Sequence, residues 1–217
     1  MTAPPTPTLP DLSPRRLLAA YAAGAFPMPD PDRAGRVLWF SPDPRGLLPL
    51  DGRFHVPQRL GRTIRQGKCQ CTTDRAFGAV MRSCADRPEG TWITDDFLAA
   101  YGRLHALGFA HSVEAWPAEQ TPPARGESMA EPAGGVYGVA LGGAFFAESM
   151  FHTRRDAGKV ALVYLVEHLR RRGFILCEVQ WLTPHLEQFG AFQVPAIDYL
   201  GMLAEALAAP VTFADAG

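Results

Sequence analysis

The stretch GGVYGVALGGAFFAESMF, residues 134–151, decides the fold of this chain. It reads as two apolar strands around Leu141-Gly142-Gly143, because glycine tolerates the backbone angles of a tight turn. A carboxylate, Glu148, stands in the middle of the second strand. Burial of an unpaired charge is costly, so Glu148 either faces water or is needed inside the protein.

The residues that follow extend this hairpin into an α/β unit. Residues 157–172 collect apolar side chains on one helical face and end before Gly173, and residues 174–180, FILCEVQ, predict a strand. A strand–helix–strand crossover within one sheet is right-handed and makes its two strands parallel. The sequence therefore predicts an α/β (α+β) fold in which strands 144–151 and 174–180 lie adjacent or nearly so.

Strand alternation places two acids among large apolar side chains. The predicted faces are Phe146, Glu148 and Met150 on the first strand, and Phe174, Leu176, Glu178 and Gln180 on the second. If these faces coincide, Glu148, Glu178 and Gln180 converge in an apolar cleft, which is typical of a substrate site. Periodicity leaves open the alternative that both acids point to solvent.

Composition indicates an ordinary globular protein. The 217 residues, 47% hydrophobic and 20% charged, suit one good-sized domain or two small ones. The net charge of −1 does not indicate a polyanionic partner, although a total can hide local patches. The four cysteines form no C-x-x-C pair, which favours reduced thiols in a cytoplasmic protein and no metal site.

The N-terminal half is less regular. Residues 1–11 are predicted to be a disordered lead, and Ser13-Pro14 predicts the start of a helix too short to span a membrane. Frequent proline in residues 26–51 predicts an ordered segment without regular strand pairing. Residues 118–134 are predicted to be a loop without a chemical role.

One segment is strongly basic. Residues 53–68, RFHVPQRLGRTIRQGK, contain no acid. Arg59, Arg62 and Arg65 recur every three positions along one side of a predicted short helix, where with Lys68 they can contact nucleic-acid phosphates. The alternative is an ordinary solvated face, which is our interpretation of the second basic run at 168–172.

Several long motifs occur in succession over residues 12–200. They are L-S-P-x-R-L-L-x-A-Y-x-x-G-x-F-P at 12–27, W-F-S-P-D-P-R at 39–45, E-G-T-W-I-T at 89–94, A-H-S-V-E-x-W at 110–116, and the opening stretch at 134–151. Together they resemble the leucyl/phenylalanyl-tRNA–protein transferases.

This resemblance implies a cytoplasmic bacterial enzyme that moves Leu or Phe, less readily Met, from aminoacyl-tRNA to the N-terminal Arg or Lys of an acceptor protein. The product carries an N-end-rule degradation signal. The implied fold is a GNAT-like acyltransferase domain, placed at residues 61–217, with a smaller N-terminal α/β domain at 12–60. We expect a monomer without coenzyme A, other cofactors or metal.

The resemblance also assigns catalytic residues. The family's D-x-Q falls on Glu178-Val179-Gln180, with Glu in place of Asp, and its E-S-M-F is unchanged from Glu148 onward. Gln180 would orient the acceptor amine, and Glu178 would support it or attract the cationic acceptor. Glu148 would hold the aminoacyl-adenosine end or the amine. Thr183 replaces the usual Asn, so its contacts are expected to differ.

A pocket for the aminoacyl-adenosine is implied by apolar and aromatic residues. Those predicted to line it are Trp39, Phe40, Trp92, Phe146, Met150, Phe174 and Thr183. In the family an aromatic side chain of W-W-S-P-D-P-R stacks on the terminal adenine, which here corresponds to Trp39 or Phe40. The alternative for both, and equally for Trp92, is a place in the core.

Two other functions remain possible from the sequence. An acyl-CoA N-acyltransferase would need the phosphate loop R/Q-x-x-G-x-G/A, which residues 154–159 match only in part. A non-catalytic aminoacyl-tRNA-binding module would result if Glu178 and Thr183 have disabled the site.

Overall fold

A computed structural model describes residues 11–33, 35–124 and 130–214 of the chain. The predicted disordered lead lies outside these residues except for Asp11, and so does part of the predicted loop at 118–134.

Helices and strands are interspersed along the described chain. The helices are α1 (Pro14–Ala22), α2 (Gln58–Arg65), α3 (Phe77–Ala85), α4 (Asp95–Ala106), α5 (Ala157–Arg172), α6 (Pro184–Glu187) and α7 (Ala196–Ala208). The strands are β1 (Phe26–Pro29), β2 (Val37–Phe40), β3 (Arg45–Leu48), β4 (Cys69–Thr73), β5 (Ala110–Pro117), β6 (Gly134–Leu141), β7 (Ala144–His152), β8 (Leu176–Gln180) and β9 (Phe192–Val194).

A mixed seven-stranded sheet forms the centre of the molecule, in the order β4-β5-β6-β7-β8-β3-β9. Neighbouring strands are antiparallel except for β7 and β8, which α5 connects as a parallel pair. This arrangement confirms the predicted α/β fold class and the predicted adjacency of the two strands.

The sheet is covered on both faces. One apolar cluster contains residues of α1, α3, α4 and α7, including Leu17, Phe97 and Leu203. The other contains residues of α5, together with Leu60 of α2 and Phe213. We call these the α1/α4 face and the α5 face. A side chain on β7 or β8 therefore enters one of two different environments, depending on its face.

A β-bulge changes the alternation along β7. Tyr137 of β6 lies opposite Ser149 and Gly138 lies opposite Ala147, so Glu148 is left without a partner in the register. An extra residue of this kind shifts all later side chains to the other face. Phe146 accordingly lies on the α1/α4 face, whereas Met150 packs on the α5 face. The prediction that Met150 shares a face with Glu148 is wrong for this reason.

Phe174 also lies on the other face from the one predicted. It precedes the first residue of β8 and packs in the α5-face cluster, where its ring meets Phe213 edge to face at 6.4 Å. The prediction that Phe174 shares a face with Glu178 is therefore wrong. Strand alternation holds only inside a strand, and Phe174 is outside it.

The proline-rich segment contributes more regular structure than predicted. β1 and β2 pair as an antiparallel hairpin, with Phe26 opposite Phe40. Strand β3 lies in the main sheet between β8 and β9. The prediction that proline excludes strand pairing here is wrong, because a separate two-stranded hairpin tolerates missing amide donors. The domain boundary near residue 60 stays a prediction, although β3 joins the sheet of the later residues.

Candidate active site

The candidate site lies where the parallel strands β7 and β8 part. β7 and β8 are paired from Ala144 opposite Leu176 to Phe146 opposite Glu178. Beyond this point β8 is paired only on its other edge, where Gln180 lies opposite Gly46 of β3. Glu148 and Gln180 thus occupy neighbouring strands just past the end of their pairing, and Gln180 Nε2 donates to Glu148 Oε1 across 3.5 Å.

Glu148 is held by two tyrosines from separate helices. The hydroxyl of Tyr21, on α1, donates to Glu148 Oε1 at 2.6 Å, and that of Tyr101, on α4, reaches Oε2 at 3.4 Å. The two hydroxyls also hydrogen-bond to each other. Both tyrosines are fully buried. Glu148 is therefore a part-buried carboxylate with fixed donors, and the solvent-facing alternative is wrong for it.

Burial raises the pKa of Glu148 to about 8, with the hydrogen bond from Tyr21 acting against this rise and the charge of Glu178 adding to it. A carboxylic acid in a poorly hydrated place resists ionisation because its anion loses water. Near neutral pH this side chain can accept and release a proton, which an ordinary surface glutamate does not do.

Glu178 is more deeply buried and is engaged elsewhere. Its side chain is 1% exposed, with Arg45 Nη2 3.0 Å from Oε1 and the Tyr199 hydroxyl donating to Oε2 at 2.7 Å. Burial raises the pKa of Glu178, while the charge of Arg45 and the Tyr199 hydrogen bond oppose the rise. The solvent-facing alternative is wrong for Glu178. Its carboxylate faces Arg45 and Tyr199, so it is the partner of a buried cation.

Gln180 has an unusual backbone. Its φ is +59°, in the left-handed region that residues other than glycine rarely adopt. The pairing of β3 with β8 is irregular at this point, since Gly46 lies opposite Gln180 and Leu47 opposite Glu178, which leaves Val179 as an extra residue. Strain of this kind persists only when surrounding contacts enforce it, and it clusters at functional sites.

The predicted pocket residues are not all together. Phe146 is buried beside the site, with its ring 4.9 Å from that of Tyr21. Trp92 is partly buried and meets Phe97 edge to face at 5.4 Å, a contact that fits its core alternative. Thr183 caps α6 by accepting a hydrogen bond from the Leu186 amide at 3.4 Å, so its hydroxyl is engaged locally.

Trp39 and Phe40 have different neighbours. The Arg16 guanidinium lies over the ring of Trp39 at 5.4 Å, beside a cavity of about 530 Å³. Phe40 is 39% exposed and stacks on Phe26 at 6.3 Å. The edge of Phe26 meets Trp181, the residue after Gln180, at 5.3 Å. Phe40 is therefore connected by aromatic contacts to the residue that follows β8.

Sequence reasoning missed five residues of this site. They are Tyr21, Arg45, Tyr101, Trp181 and Tyr199. Tyr21 and Arg45 stand inside motifs that carried the family resemblance, which was a usable signal. Tyr101 and Tyr199 come from distant helices and had no local signal, because only packing brings them to the acids.

The basic residues of the 53–68 segment are exposed. Arg59, Arg62 and Arg65 lie on α2, and Lys68 follows it, all with exposed side chains. Leu60 anchors α2 against the α5 face. This geometry leaves the basic residues available to a large anionic partner.

Two kinds of feature are absent from the described ranges. Among residues 11–33, 35–124 and 130–214, no three His, Cys, Asp or Glu side chains are grouped so that they could hold a metal ion. In the same residues no helix has both the length and the apolar character needed to cross a bilayer.

Comparison with known proteins identifies relatives along nearly the whole chain. The family described as leucyl/phenylalanyl-tRNA protein transferase matches residues 47–204, and its N-terminal domain matches residues 10–43. A leucyl/phenylalanyl-tRNA–protein transferase of Akkermansia muciniphila is 47% identical over 198 residues, covering 90% of this chain and 96% of that protein. One of Herpetosiphon aurantiacus is 47% identical over 202 residues, covering 93% and 98%.

The family match and these relatives define an enzyme of the aminoacyltransferase class. The chain belongs to the leucyl/phenylalanyl-tRNA protein transferase family. Among solved structures, one titled "The structure of L-PGS from Bacillus licheniformis" aligns with a TM-score of 0.46 and 9% identity, covering 76% of this chain and 64% of that chain.

Proposed function

We propose that this aminoacyltransferase moves Leu or Phe, and less readily Met, from aminoacyl-tRNA to the N-terminal Arg or Lys of acceptor proteins in the cytoplasm. The product would carry an N-end-rule degradation signal. The observation that carries the proposal is the contact between Glu148 and Gln180 at the open end of the β7–β8 pair. Family membership supplies the aminoacyl-tRNA as donor and favours it over coenzyme A.

The chemistry requires positioning and removal of one proton. The acceptor amine attacks the ester carbonyl carbon, so a C–N bond forms and the C–O bond to the terminal ribose breaks. The amine loses a proton, and the ribose oxygen takes one up. An N-terminal amine has an ordinary pKa of about 8, so only modest help from a base is needed.

Glu148 is suited to move this proton. Its pKa of about 8 lies close to that of the amine, and general bases work best when their pKa is near the working pH. The carboxylate would accept the proton from the amine and return it to the ribose oxygen. Tyr21 and Tyr101 would hold the carboxylate in place through their hydroxyl groups.

Gln180 would orient the amine. Because its Nε2 donates to Glu148, its amide oxygen would be the atom that accepts a hydrogen bond from the incoming nitrogen. Glu178 would act behind Gln180 and would not bind the acceptor directly, because Arg45 already compensates its charge. The family motif allowed Glu178 either to support Gln180 or to attract the cationic acceptor, and this assignment keeps only the first role.

Two surroundings would hold the rest of the donor. A pocket for a Leu or Phe side chain beside Glu148 would reject a β-branched side chain by its shape, at a cost of about 1 to 3 kcal/mol. The exposed rings of Phe40 and Trp181 would stack on nucleobases at the tRNA end, where each stacked base contributes about 1 to 3 kcal/mol.

A transfer assay tests the function. The enzyme is incubated with Leu-tRNA or Phe-tRNA and a peptide that begins with Arg, in chelator and without ATP. Mass spectrometry is expected to show one added Leu or Phe on peptides that start with Arg or Lys, and none on a matched peptide that starts with Ala. Absence of product with every charged tRNA would contradict the proposal.

Charge reversal of Arg59, Arg62 and Arg65 to Glu tests the tRNA surface. We expect the KM for tRNA to rise by at least about 10-fold and its salt dependence to weaken, because fewer counterions are released on binding. The single-turnover rate at saturating tRNA should stay nearly unchanged.

The matched control is Arg171→Glu, which reverses an exposed charge on α5. This variant should keep the KM for tRNA of the unchanged enzyme. If the α2 variant keeps the original salt dependence, the three arginines form only a solvated face.

A further inference from the structure

Arg45 is a fully buried arginine at the centre of the site. It ends the motif W-F-S-P-D-P-R and has a side chain that is 1% exposed. Its guanidinium lies over the ring of Tyr199 at 4.3 Å and near that of Phe26 at 5.7 Å, with Glu178 as its charged partner at 3.0 Å. Nothing in the sequence pattern assigns a role to this side chain.

Stability alone is a poor explanation for such a pair. A buried ion pair loses much of its attraction to the cost of removing two charges from water, and apolar residues of similar size often serve as well. Within the described residues, Arg45 Nε and Nη1 have no hydrogen-bond partner. Glu178 is therefore the group that compensates the cation, and the aromatic faces provide weaker support.

The backbone of Gly46, next to Arg45, contacts the end of β8 and the residue after it. Gly46 lies opposite Gln180, and a Cβ at Gly46 would be 2.7 Å from the carbonyl carbon of Trp181. Strand β3 thus contacts residue 178 through the Arg45 side chain and residues 180 and 181 through the Gly46 backbone. Arg45 and Gly46, which are adjacent in β3, therefore hold the two ends of the irregular segment Glu178-Val179-Gln180.

We propose that Arg45 is a positioning residue for aminoacyl transfer, which holds the Glu178 carboxylate away from Glu148 so that Gln180, and not Glu178, faces Glu148 and the acceptor amine. This inference rests on the proposed function. It gives Glu178 and Arg45 one joint role and predicts that their substitutions act on the chemical step together.

The charges around Glu148 lead to a change in the pH dependence of transfer that is specific to this role. Tyr21, Tyr101 and Gln180 contact Glu148, and the nearby charge of Glu178 raises its pKa. Without Arg45, the buried Glu178 would take up a proton because an unpaired buried anion is costly. Loss of that negative charge would lower the pKa of Glu148. The rate, which rises as Glu148 ionises, would then reach half its maximum at a lower pH.

The test compares Arg45→Met, Arg45→Lys, Glu178→Gln and the double variant Arg45→Met with Glu178→Gln. Single-turnover transfer to one Arg peptide is measured from pH 6 to 9 at saturating tRNA, at a temperature where each variant is folded. The acceptor amine contributes equally to every profile, so differences report the enzyme. Glu114→Gln is the control, since Glu114 is a buried carboxylate held by Thr72 in β4.

Arg45→Met should slow transfer by about 10- to 100-fold, with the KM for tRNA changed less than about 3-fold. It should also lower Tm by about 10 °C, because a buried charge loses its partner. Arg45→Lys should regain part of the rate. The double variant should be no slower than the slower single variant and more stable than Arg45→Met, which keeps the test informative if that single variant unfolds. The profile of Glu114→Gln should not move.

The positioning role would be overturned if the losses of transfer rate in the two single variants added up in the double variant. It would also be overturned if the midpoint of the pH–rate profile stayed in place or moved to higher pH. These results differ from failure of the proposed function, in which the unchanged enzyme itself forms no product with charged tRNA and an Arg peptide.

Discussion

Glu148→Gln is expected to slow transfer by at least about 100-fold, because an amide keeps the shape of the side chain but cannot accept a proton at neutral pH. One of the Tyr21 and Tyr101 hydroxyls can still donate to the amide oxygen and the other can accept from the amide nitrogen, so the fold should be preserved. The measurement is single-turnover transfer at saturating tRNA across pH 6 to 9. The unchanged enzyme should become faster as pH rises towards the Glu148 pKa of about 8.

Stability supplies an independent measurement of the same residue. The pKa of Glu148 is raised from 4.5 to about 8, so the folded protein binds a proton that the unfolded chain has released between these values. The stability contributed by this group is complete below pH 4.5 and is lost as pH rises through 8. Glu148→Gln should therefore lose less stability than the unchanged enzyme between pH 5 and 8.

Glu114→Gln is the matched control here as well, since it neutralises another buried carboxylate of the sheet away from the cleft. It should keep the transfer rate after correction for the folded fraction. A fully active Glu148→Gln enzyme would mean that Glu148 is not the proton acceptor, and the mechanism would need another base.

Gly46→Ala is expected to lower Tm by more than about 5 °C and to slow the chemical step by at least about 10-fold. The added Cβ would lie 2.7 Å from the Trp181 carbonyl carbon and 2.9 Å from the Leu182 amide nitrogen, which are both backbone atoms. Backbone atoms cannot turn aside as a flexible side chain can. The turn after Gln180 must shift, and the left-handed conformation of Gln180 would shift with it.

The measurements are thermal melting and single-turnover transfer at saturating tRNA. Gly201→Ala is the control, because Gly201 lies inside α7, is exposed and has nothing within 4 Å of an added Cβ. Alanine favours a helix interior over glycine by about 1 kcal/mol, so this variant should melt at the same or a higher temperature. A Gly46→Ala enzyme with the original Tm and rate would show that the contact between Gly46 and the backbone after β8 is not essential.

Local sequence was sufficient for the framework of the site. Apolar strand patterns, a glycine turn and an amphipathic helix of 16 residues predicted a parallel pair, and the sheet contains it as β7 and β8. The same patterns allowed Glu148, Glu178 and Gln180 to converge, but left open the alternative that both acids point to solvent. These features depend on short-range periodicity, which can be recognised in each segment without knowing its position in the fold.

The different environments of Glu148 and Glu178 depend on tertiary structure. Both are glutamates within similar apolar strands, yet Glu148 contacts Tyr21 and Tyr101 whereas Glu178 contacts Arg45 and Tyr199. These partners lie 21 to 133 residues away along the chain, so no local pattern reports them. The environment of a carboxylate sets its pKa, and that environment exists only after the helices have packed.

The sequence by itself determined the α/β framework and the family. Tertiary structure decided which side chains share the site. A single unpaired residue at Glu148 moved Met150 to the α5 face, and insertion of β3 beside β8 brought Arg45 to Glu178. Periodicity cannot reveal a bulge or the insertion of a distant strand, because both arise from hydrogen bonds between segments that are far apart in the chain.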